Sequence, residues 1–250
     1  MELNGASVVV TGASRGIGRV TAERLAQHGA ALTLVGRDVD ALSEVARQTG
    51  GTPLAVDVAD PSHADRVVGA ALEQHGRLDA IVANAGIGYF GAFSDMPVER
   101  IDALLAVNLH APLLLARAAI PHLLQRPSAA IVIVGSIAGA VPVANEAVYS
   151  ATKAALESFT DALREELRDT AVTVSIVRPG VVETGFFATR GTPYDRTFPP
   201  LIPAERVAGA VVDLMRTGGR HRTEPRWMGI APRLRAHVPR IYQAIARSMA

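Results

Sequence analysis

Cysteine is absent from this chain of 250 residues, so neither a disulfide nor a cysteine-bound metal can take part in its fold or chemistry. We predict no metal site. A surplus of one charge is lacking as well, because 25 basic residues face 24 acidic ones and leave a net charge of +1. A chain with this balance has no overall field that attracts nucleic acid, so we expect no nucleic-acid partner.

Long apolar segments are also missing. No run of about 18 apolar residues is free of charged residues and helix breakers, which argues against a membrane-spanning helix. Residues 1–5 lack the basic and apolar regions of a signal peptide. Hydrophobic residues make up 49% of the chain and charged residues 20%, as in ordinary globular enzymes. We therefore expect a soluble protein in the cytoplasm.

The alternation of short and long segments indicates the fold. Short apolar, β-branched runs are separated by longer stretches of helical spacing. Strands that are apolar on both faces are typical of a parallel sheet covered by helices on both sides, and single helices between strands imply right-handed crossovers. We predict one α/β domain over residues 1–250, with a doubly wound parallel sheet. The predicted strands are residues 6–10, 31–35, 53–56, 80–83, 130–134 and 172–177.

Two predicted helices, residues 97–125 and 147–168, are rich in alanine and leucine. Helices this apolar pack either against copies of themselves in an oligomer or against the sheet alone, and the sequence leaves both arrangements open. A further helix is predicted at 204–215. Before it, residues 185–203 form a long predicted loop with four prolines, and long loops in compact domains are often functional lids. We predict that this loop contacts the substrate.

A glycine-rich turn follows the first predicted strand and leads into a helix. Its glycines are spaced G-x-x-x-G-x-G, which suits a tight turn that brings backbone amides at a helix N-terminus to a pyrophosphate. The alternative is a glycine-rich turn without a ligand, but the position between strand and helix favours a dinucleotide. The residues that we predict to bind it here are Gly12, Ser14, Arg15, Gly16, Ile17 and Gly18.

The end of the second strand indicates which dinucleotide is bound. An acidic residue at this place accepts from the ribose 2′-hydroxyl of NAD, whereas arginine suits the 2′-phosphate of NADP. Here Gly36 provides no carboxylate and Arg37 provides a permanently charged fork. Arg15 would add a second clamp. Asp38 either caps the next helix or points inward, which would reverse the preference. We predict that NADP(H) is favoured over NAD(H).

A tyrosine and a lysine four residues apart, Tyr149 and Lys153, share one face of a predicted helix. A nearby ammonium favours the phenolate, so we expect Lys153 to lower the pKa of Tyr149 and make it a usable acid or base. Lys153 is the only lysine beside 24 arginines. The spacing alone is common, and a solvated helix face is the alternative. Ser136 follows a strand and would stabilise a substrate oxyanion, or is simply a turn serine.

Together these motifs resemble the short-chain dehydrogenases/reductases of the common 250-residue type. The resemblance rests on T-G-x-x-x-G-x-G, on Asn84-Ala85-Gly86, on Ser136 with Tyr149-x-x-x-Lys153, and on Pro179-Gly180, and it covers residues 3–184. It implies a Rossmann fold of about seven parallel strands, a carbonyl or alcohol substrate, and a homodimer or homotetramer.

The resemblance also implies roles for individual residues. Ser136 would orient the carbonyl, Tyr149 would donate the proton, and Lys153 would bind the ribose and tune Tyr149. Asn108 would hold a water in the proton relay, although taken alone it is equally a core amide with satisfied hydrogen bonds. The further residues that the resemblance assigns to the cofactor are Asp57, Val58, Asn84, Ala85, Gly86, Pro179, Gly180, Val182 and Thr184.

The chain departs from the family pattern near its end. Residues 220–250 form a basic tail, since eight arginines face one acidic residue, Glu224, from Arg216 onward. The tail is a lid over an apolar substrate, a contact with an anionic membrane surface, or a solvated or subunit-packing helix. The sequence leaves these three interpretations open.

The leading functional hypothesis is hydride transfer between NADP(H) and a carbonyl or secondary alcohol. The aromatic residues of the loop 185–203 favour an apolar substrate. A catalytically silent dinucleotide-binding regulatory protein is the alternative, although intact Ser136, Tyr149 and Lys153 argue against it. A nucleotide-sugar epimerase shares the tyrosine and lysine, but the chain is short for the extra substrate domain.

Overall fold

A sheet of seven parallel strands forms the centre of the molecule, with the strand order 3-2-1-4-5-6-7. The structure is a computed structural model, and it describes residues 1–240. The predicted doubly wound parallel sheet is confirmed. The strands are β1 (Ser7–Thr11), β2 (Ala31–Gly36), β3 (Thr52–Ala55), β4 (Ala80–Ala83), β5 (Ala129–Val134), β6 (Val172–Pro179) and β7 (His221–Glu224).

Helices cover both faces of this sheet. A π-helical turn, Ala106–His110, joins α4 to α5 without a break, so the predicted long helix at 97–125 is present. The helices are α1 (Gly16–Gln27), α2 (Val39–Thr49), α3 (His63–His75), α4 (Val98–Leu105), α5 (Ala111–Leu123), α6 (Ile137–Ala140), α7 (Ala147–Glu166), α8 (Phe186–Thr189), α9 (Ala204–Thr217) and α10 (Ile230–His237).

Two hydrophobic cores lie on opposite sides of the sheet, because successive strand residues point to opposite faces. In β1, Val8 and Val10 face one core while Val9 faces the other. Helices α1, α2 and α9 complete the first core, and α3, α5 and α7 complete the second. This is why central strands such as β4 and β5 are apolar at every position, as the sequence pattern predicted.

The continuous helix Val98–Leu123 deserves separate mention, because it alone among the described helices is long and apolar enough to cross a membrane. Core helices of globular proteins have the same composition, and this one packs Leu115, Ala119 and Leu123 into the second core. Burial against the sheet therefore accounts for much of its apolar character.

The order in which strands are added to the sheet reverses between β1 and β4, and the site lies at this point. From β1 the chain first builds β2 and β3 on one side and then returns to add β4 on the other. In such sheets ligands bind in the crevice beyond the carboxyl ends of the strands at the reversal. Thr11 ties the two strand ends together, since its hydroxyl accepts from the backbone N–H groups of Asn84 and Ala85, each at 3.0 Å.

The seventh strand is the element that the hydrophobic pattern missed. Within residues 1–240, β7 is an edge strand that pairs only with β6, which accounts for its polar sequence, and its Arg222 binds Asp213 and Glu224. The predicted loop 185–203 contains the short helix α8, and a bridge between Val182 and Ile202 closes its base. In the basic tail, β7 and α10 are described, whereas residues 241–250 lie outside the described residues.

Candidate active site

A cleft of about 1460 Å³ opens at the carboxyl ends of the strands. Of the residues predicted from the sequence, only Gly18 and Asn108 do not line it. The residues that the structure does bring together around the cleft are Gly12, Ser14, Arg15, Gly16, Ile17, Arg37, Asp57, Val58, Asn84, Ala85, Gly86, Ser136, Tyr149, Lys153, Pro179, Gly180, Val182 and Thr184.

The glycine turn forms one end of the cleft. Gly12 and Gly16 have positive φ angles of 65° and 55°, which side chains rarely tolerate. Helix α1 begins at Gly16, and within the described residues no side chain caps its first amides. These amides are left for an anion, as a pyrophosphate requires.

Gly18 has a packing role, and its predicted contact with the cofactor stays a prediction. A Cβ atom there would lie 2.1 Å from the carbonyl oxygen of Gly12 and 2.5 Å from Nδ2 of Asn84. The helix therefore needs glycine at this position to approach the end of β1. The motif predicts a glycine at this position, but the spacing alone does not show that the atoms next to it belong to Gly12 and Asn84.

The ends of β2 and β3 carry the residues predicted to select the dinucleotide. Asp38 is the N-cap of α2, because its Oδ1 accepts from the backbone N–H of Ala41 at 3.1 Å. The capping alternative is therefore the one that the structure adopts. Arg37 stays at the rim of the cleft with 63% of its side chain exposed, and one guanidinium nitrogen lies 3.6 Å from Oδ2 of Asp57.

The predicted pair on α7 lies deep in the cleft. Lys153 is 4% exposed, and its Nζ donates to the carbonyl oxygen of Val134 at 3.1 Å. The same Nζ lies 5.7 Å from the ring centroid of Tyr149. Among the described residues this is its one hydrogen bond, so two of its three protons are left for the hydroxyl groups of a bound molecule.

Burial controls the acidity of both groups. It raises the pKa of Tyr149 to about 12, against a smaller lowering by the hydrogen bond to Ser136. It also lowers the pKa of Lys153 to about 8. The prediction of a lowered pKa for Tyr149 is therefore wrong for the protein alone. Desolvation of the phenolate outweighs the lowering by Ser136 and Arg190, and the charge of the Lys153 ammonium is itself disfavoured by burial.

Ser136 follows β5 and contacts Tyr149 of α7. It is the N-cap of α6, and its Oγ accepts from the backbone N–H of Ala138 at 3.1 Å. Its side chain is also hydrogen-bonded to Tyr149. Two partners thus fix this hydroxyl beside the phenol, where a substrate oxygen would meet both.

Asn108 lies behind the cleft in the π-helical turn between α4 and α5. Its Oδ1 accepts from the backbone N–H of Ile87 at 2.8 Å, and its Nδ2 donates to the carbonyl oxygen of Ile87 at 2.9 Å. The amide is thus satisfied by the loop after β4, which was the alternative to a catalytic role. Short π-helical segments are frequent at functional sites, and the relay role of Asn108 stays a prediction.

Aromatic side chains line the opposite end of the cleft. The ring centroids of Tyr149 and Phe186 are 5.6 Å apart, Phe186 and Phe187 are 5.6 Å apart, and Phe187 and Tyr194 are 5.2 Å apart. These rings also face the cleft. They therefore pack the segment 186–194 onto Tyr149. We call the rings of Phe186, Phe187 and Tyr194 the aromatic wall, because they offer an apolar surface to a substrate.

Sequence reasoning missed one buried ion pair at the same end. Glu146, immediately before α7, pairs with Arg190 of the substrate loop, and the two side chains are 9% and 7% exposed. The partners are 44 residues apart, so no local pattern could reveal the contact. Burial raises the pKa of Glu146, and the charge of Arg190 opposes that shift.

A dinucleotide-sized cleft at the reversal of a doubly wound sheet, with a buried serine, tyrosine and lysine together, defines a nicotinamide-dependent oxidoreductase. The family model for the short chain dehydrogenases matches residues 6–195. The chain belongs to the short-chain dehydrogenase/reductase family and is an enzyme of that class.

Relatives and solved structures agree with this assignment. The chain is similar to an oxidoreductase from Staphylococcus epidermidis, with 37% identity over 82% of this chain and 88% of that protein. A short-chain dehydrogenase/reductase from Burkholderia phymatum in complex with NAD has a TM-score of 0.87 and 25% identity, over 96% of both chains. A short-chain dehydrogenase from Burkholderia cenocepacia in complex with NADP has a TM-score of 0.78 and 31% identity, over 89% of this chain and 97% of that one.

The residues present fit a nicotinamide dinucleotide. The two glycines of positive φ keep side chains out of the turn, the first amides of α1 suit a pyrophosphate, and Lys153 has protons left for ribose hydroxyls. The hypothesis of a silent regulatory protein has no support, because Ser136, Tyr149 and Lys153 stand together in the cleft.

Proposed function

We propose that this enzyme transfers a hydride between NADP(H) and a carbonyl or secondary alcohol in a largely apolar substrate. The observation that carries the proposal is the placement of Ser136, Tyr149 and Lys153 side by side, buried, between the glycine turn and the aromatic wall. The polar and charged end of the cleft suits a dinucleotide, and the apolar end suits an apolar ketone.

A nicotinamide dinucleotide held by the glycine turn and Lys153 would supply or accept the hydride. Ser136 donates a hydrogen bond to the carbonyl oxygen, and Tyr149 gives that oxygen its proton as negative charge develops there. With a pKa of about 12, Tyr149 is fully protonated at neutral pH and ready to donate. Lys153, charged below pH about 8, stabilises the tyrosinate that remains until solvent returns the proton.

Preference for NADP(H) is supported by the end of β2. Because Asp38 is engaged as the cap of α2, its carboxylate is directed at that helix and not at a ribose 2′-hydroxyl. Arg37 stays exposed at the rim, where its planar fork suits a 2′-phosphate. Asp57 beside it keeps the guanidinium over the cleft.

Arg37→Asp should lower the ratio of kcat/KM for NADPH to that for NADH by about tenfold to a hundredfold, the worth of one charge-assisted hydrogen bond. Steady-state rates with both dinucleotides measure the ratio. Arg47→Asp is the matched control, because it makes the same charge change on the exposed side of α2 away from the cleft. An unchanged ratio in Arg37→Asp would remove the arginine from this role.

The substrate class is tested by NADPH oxidation across steroid, acyl, quinone and sugar carbonyls. Turnover should be fastest with apolar ketones. Tight NADPH binding without turnover of any carbonyl would contradict the proposed reaction.

We also propose a cytoplasmic homodimer or homotetramer. The exposed Leu105 within the long helix and Leu124 directly after it support subunit packing. Contact of residues 220–250 with an anionic membrane stays a second hypothesis, supported by the exposed Ile230 and Leu234 beside Arg233 on α10.

A further inference from the structure

The buried ion pair of Glu146 and Arg190 lies where the substrate loop meets the catalytic helix. Removing two charges from water is costly, and a buried pair adds little net stability even when its geometry is good. Stability alone is therefore a weak reason for placing a charged pair here, and its location deserves a functional account.

Arg190 connects three separate parts of the chain. Besides its bond to Glu146, its Nε donates to the carbonyl oxygen of Thr192 at 3.0 Å. Its guanidinium carbon lies 4.8 Å from the ring centroid of Phe90 and 4.7 Å from that of Phe187. Cation–π contacts of this kind are strongest where water is excluded. One side chain thus holds the loop, the segment after β4 and the helix together.

Glu146 connects the pair to the reacting group. It lies one turn before Tyr149, and its carbonyl oxygen accepts from the backbone N–H of Ser150 at 2.8 Å. The loop that Arg190 anchors carries Phe186, which packs on the ring of Tyr149. Any slackening of the pair therefore moves the aromatic wall relative to the catalytic phenol.

We propose that Glu146 and Arg190 are positioning residues, a clamp that holds the segment 186–194 against α7 and thereby orients the substrate carbonyl towards Tyr149. This inference rests on the proposed function. It predicts that loss of the clamp impairs the use of the ketone and spares the binding of NADPH, whose predicted contacts lie at the other end of the cleft.

Electrostatics adds a second readout. The charged or hydrogen-bonding groups that face Tyr149 are Ser136, Lys153, Glu146 and Arg190. The Glu146 carboxylate raises the pKa of Tyr149 and the Arg190 guanidinium lowers it. Without Arg190 its lowering of the Tyr149 pKa is lost while the raising effect of the Glu146 carboxylate stays, so the pH at which alcohol oxidation becomes half-maximal should move upward. Removal of Glu146 should move it downward.

The test compares Arg190→Gln and Glu146→Gln with the wild-type enzyme. We expect kcat/KM for the ketone to fall by about a hundredfold in each, the usual cost of misplacing a substrate by about 1 Å. The Kd of NADPH, followed by fluorescence, should stay within a factor of about two, well below the tenfold that 1.4 kcal/mol represents. Arg190→Lys keeps the charge but loses the fork, so it should lose less activity, and it carries the test if Arg190→Gln does not fold.

Arg178→Gln is the matched control, because Arg178 of β6 forms a largely buried ion pair with Glu157 of α7 away from the cleft. It should lower the Tm and leave kcat/KM for the ketone unchanged. Equal losses of kcat/KM in Arg178→Gln and Arg190→Gln would overturn the proposal, since the clamp would then act only through stability. Full activity of both clamp variants would overturn it as well.

Proteolysis distinguishes failure of the clamp from failure of the proposed function, because it needs no turnover. Phe186, Phe187 and Tyr194 offer chymotrypsin three sites in the loop, since Pro199 blocks cleavage after Phe198. Loss of the clamp should speed cleavage within 186–198 by at least about tenfold, which corresponds to 1.4 kcal/mol of easier opening. Arg178→Gln should show no such increase. Unchanged cleavage in Arg190→Gln would contradict a clamp whether or not the wild-type enzyme reduces any ketone.

Discussion

Tyr149→Phe should lower kcat for ketone reduction by about 10²- to 10⁴-fold, the contribution of one positioned proton donor. The substitution removes a single oxygen. The ring that packs on Phe186 stays in place, so the aromatic wall and the cleft keep their shape. NADPH should bind as before, because the glycine turn, Arg37 and Lys153, which we propose to hold the dinucleotide, are unchanged in the cleft. Stopped-flow or steady-state rates and a fluorescence titration measure the two quantities.

Tyr89→Phe serves as the control for this experiment. Tyr89 is partly buried against the cluster of Leu104, Ala138 and Tyr149, but it does not line the cleft. It should keep normal kcat. Retention of more than a tenth of the activity by Tyr149→Phe would assign the proton to another group and remove the tyrosine from the centre of the mechanism.

Lys153→Met should abolish turnover and at the same time stabilise the protein without cofactor at pH 7. Burial lowers the pKa of Lys153 from 10.5 to about 8, so the charged form is disfavoured in the folded state. The penalty is fully present below pH 8 and disappears as the pH rises from 8 to 10.5, where the unfolded chain loses the same proton. At pH 7 its removal is worth about 3 kcal/mol.

Part of this gain is offset, because the carbonyl oxygen of Val134 loses its donor, at a cost of about 1–2 kcal/mol. A net gain of about 1–2 kcal/mol raises the Tm by roughly 2–8 °C in a chain of this size. The gain should vanish at pH 10. Thermal unfolding at both pH values measures it, with Lys153→Arg as the control that keeps the charge. A lower Tm for Lys153→Met at pH 7 would mean that burial does not strain this lysine.

The parts of the site that follow from local geometry were predictable. Tyr149 and Lys153 lie together because a helix brings positions four apart to one face. The glycine turn leaves the first amides of α1 open to an anion because the glycine spacing allows a tight backbone turn at the helix N-terminus. The alternation of β1 between two cores also follows directly from its uninterrupted valines. In each case the physical cause lies within a few residues of the chain.

The remaining features depend on contacts between distant segments. The acidity of Tyr149 is set by burial under a loop that begins 37 residues later at Phe186, and the sequence shows the lysine but not the burial. The clamp of Glu146 and Arg190 has no local signal for the same reason. The strand β7 has a polar sequence because it lies at the edge of the sheet that residues 1–240 form, so hydrophobic periodicity does not detect it.

The single ammonium of Lys153 has a practical consequence for chemical modification. Reagents that acylate or reductively alkylate amines find two targets in the whole chain, Lys153 and the α-amino group of Met1. Met1 is partly buried against the first core and its amino group is bonded to the carbonyl oxygens of Met215 and Arg216, whereas Lys153 is at the bottom of the cleft. A mass increase at Lys153 therefore reports which reagents can enter the cleft. Lysine-directed cross-linkers and amine-coupled supports will find no lysine on the surface of this protein. An aldehyde small enough to reach Lys153 would modify no other lysine side chain.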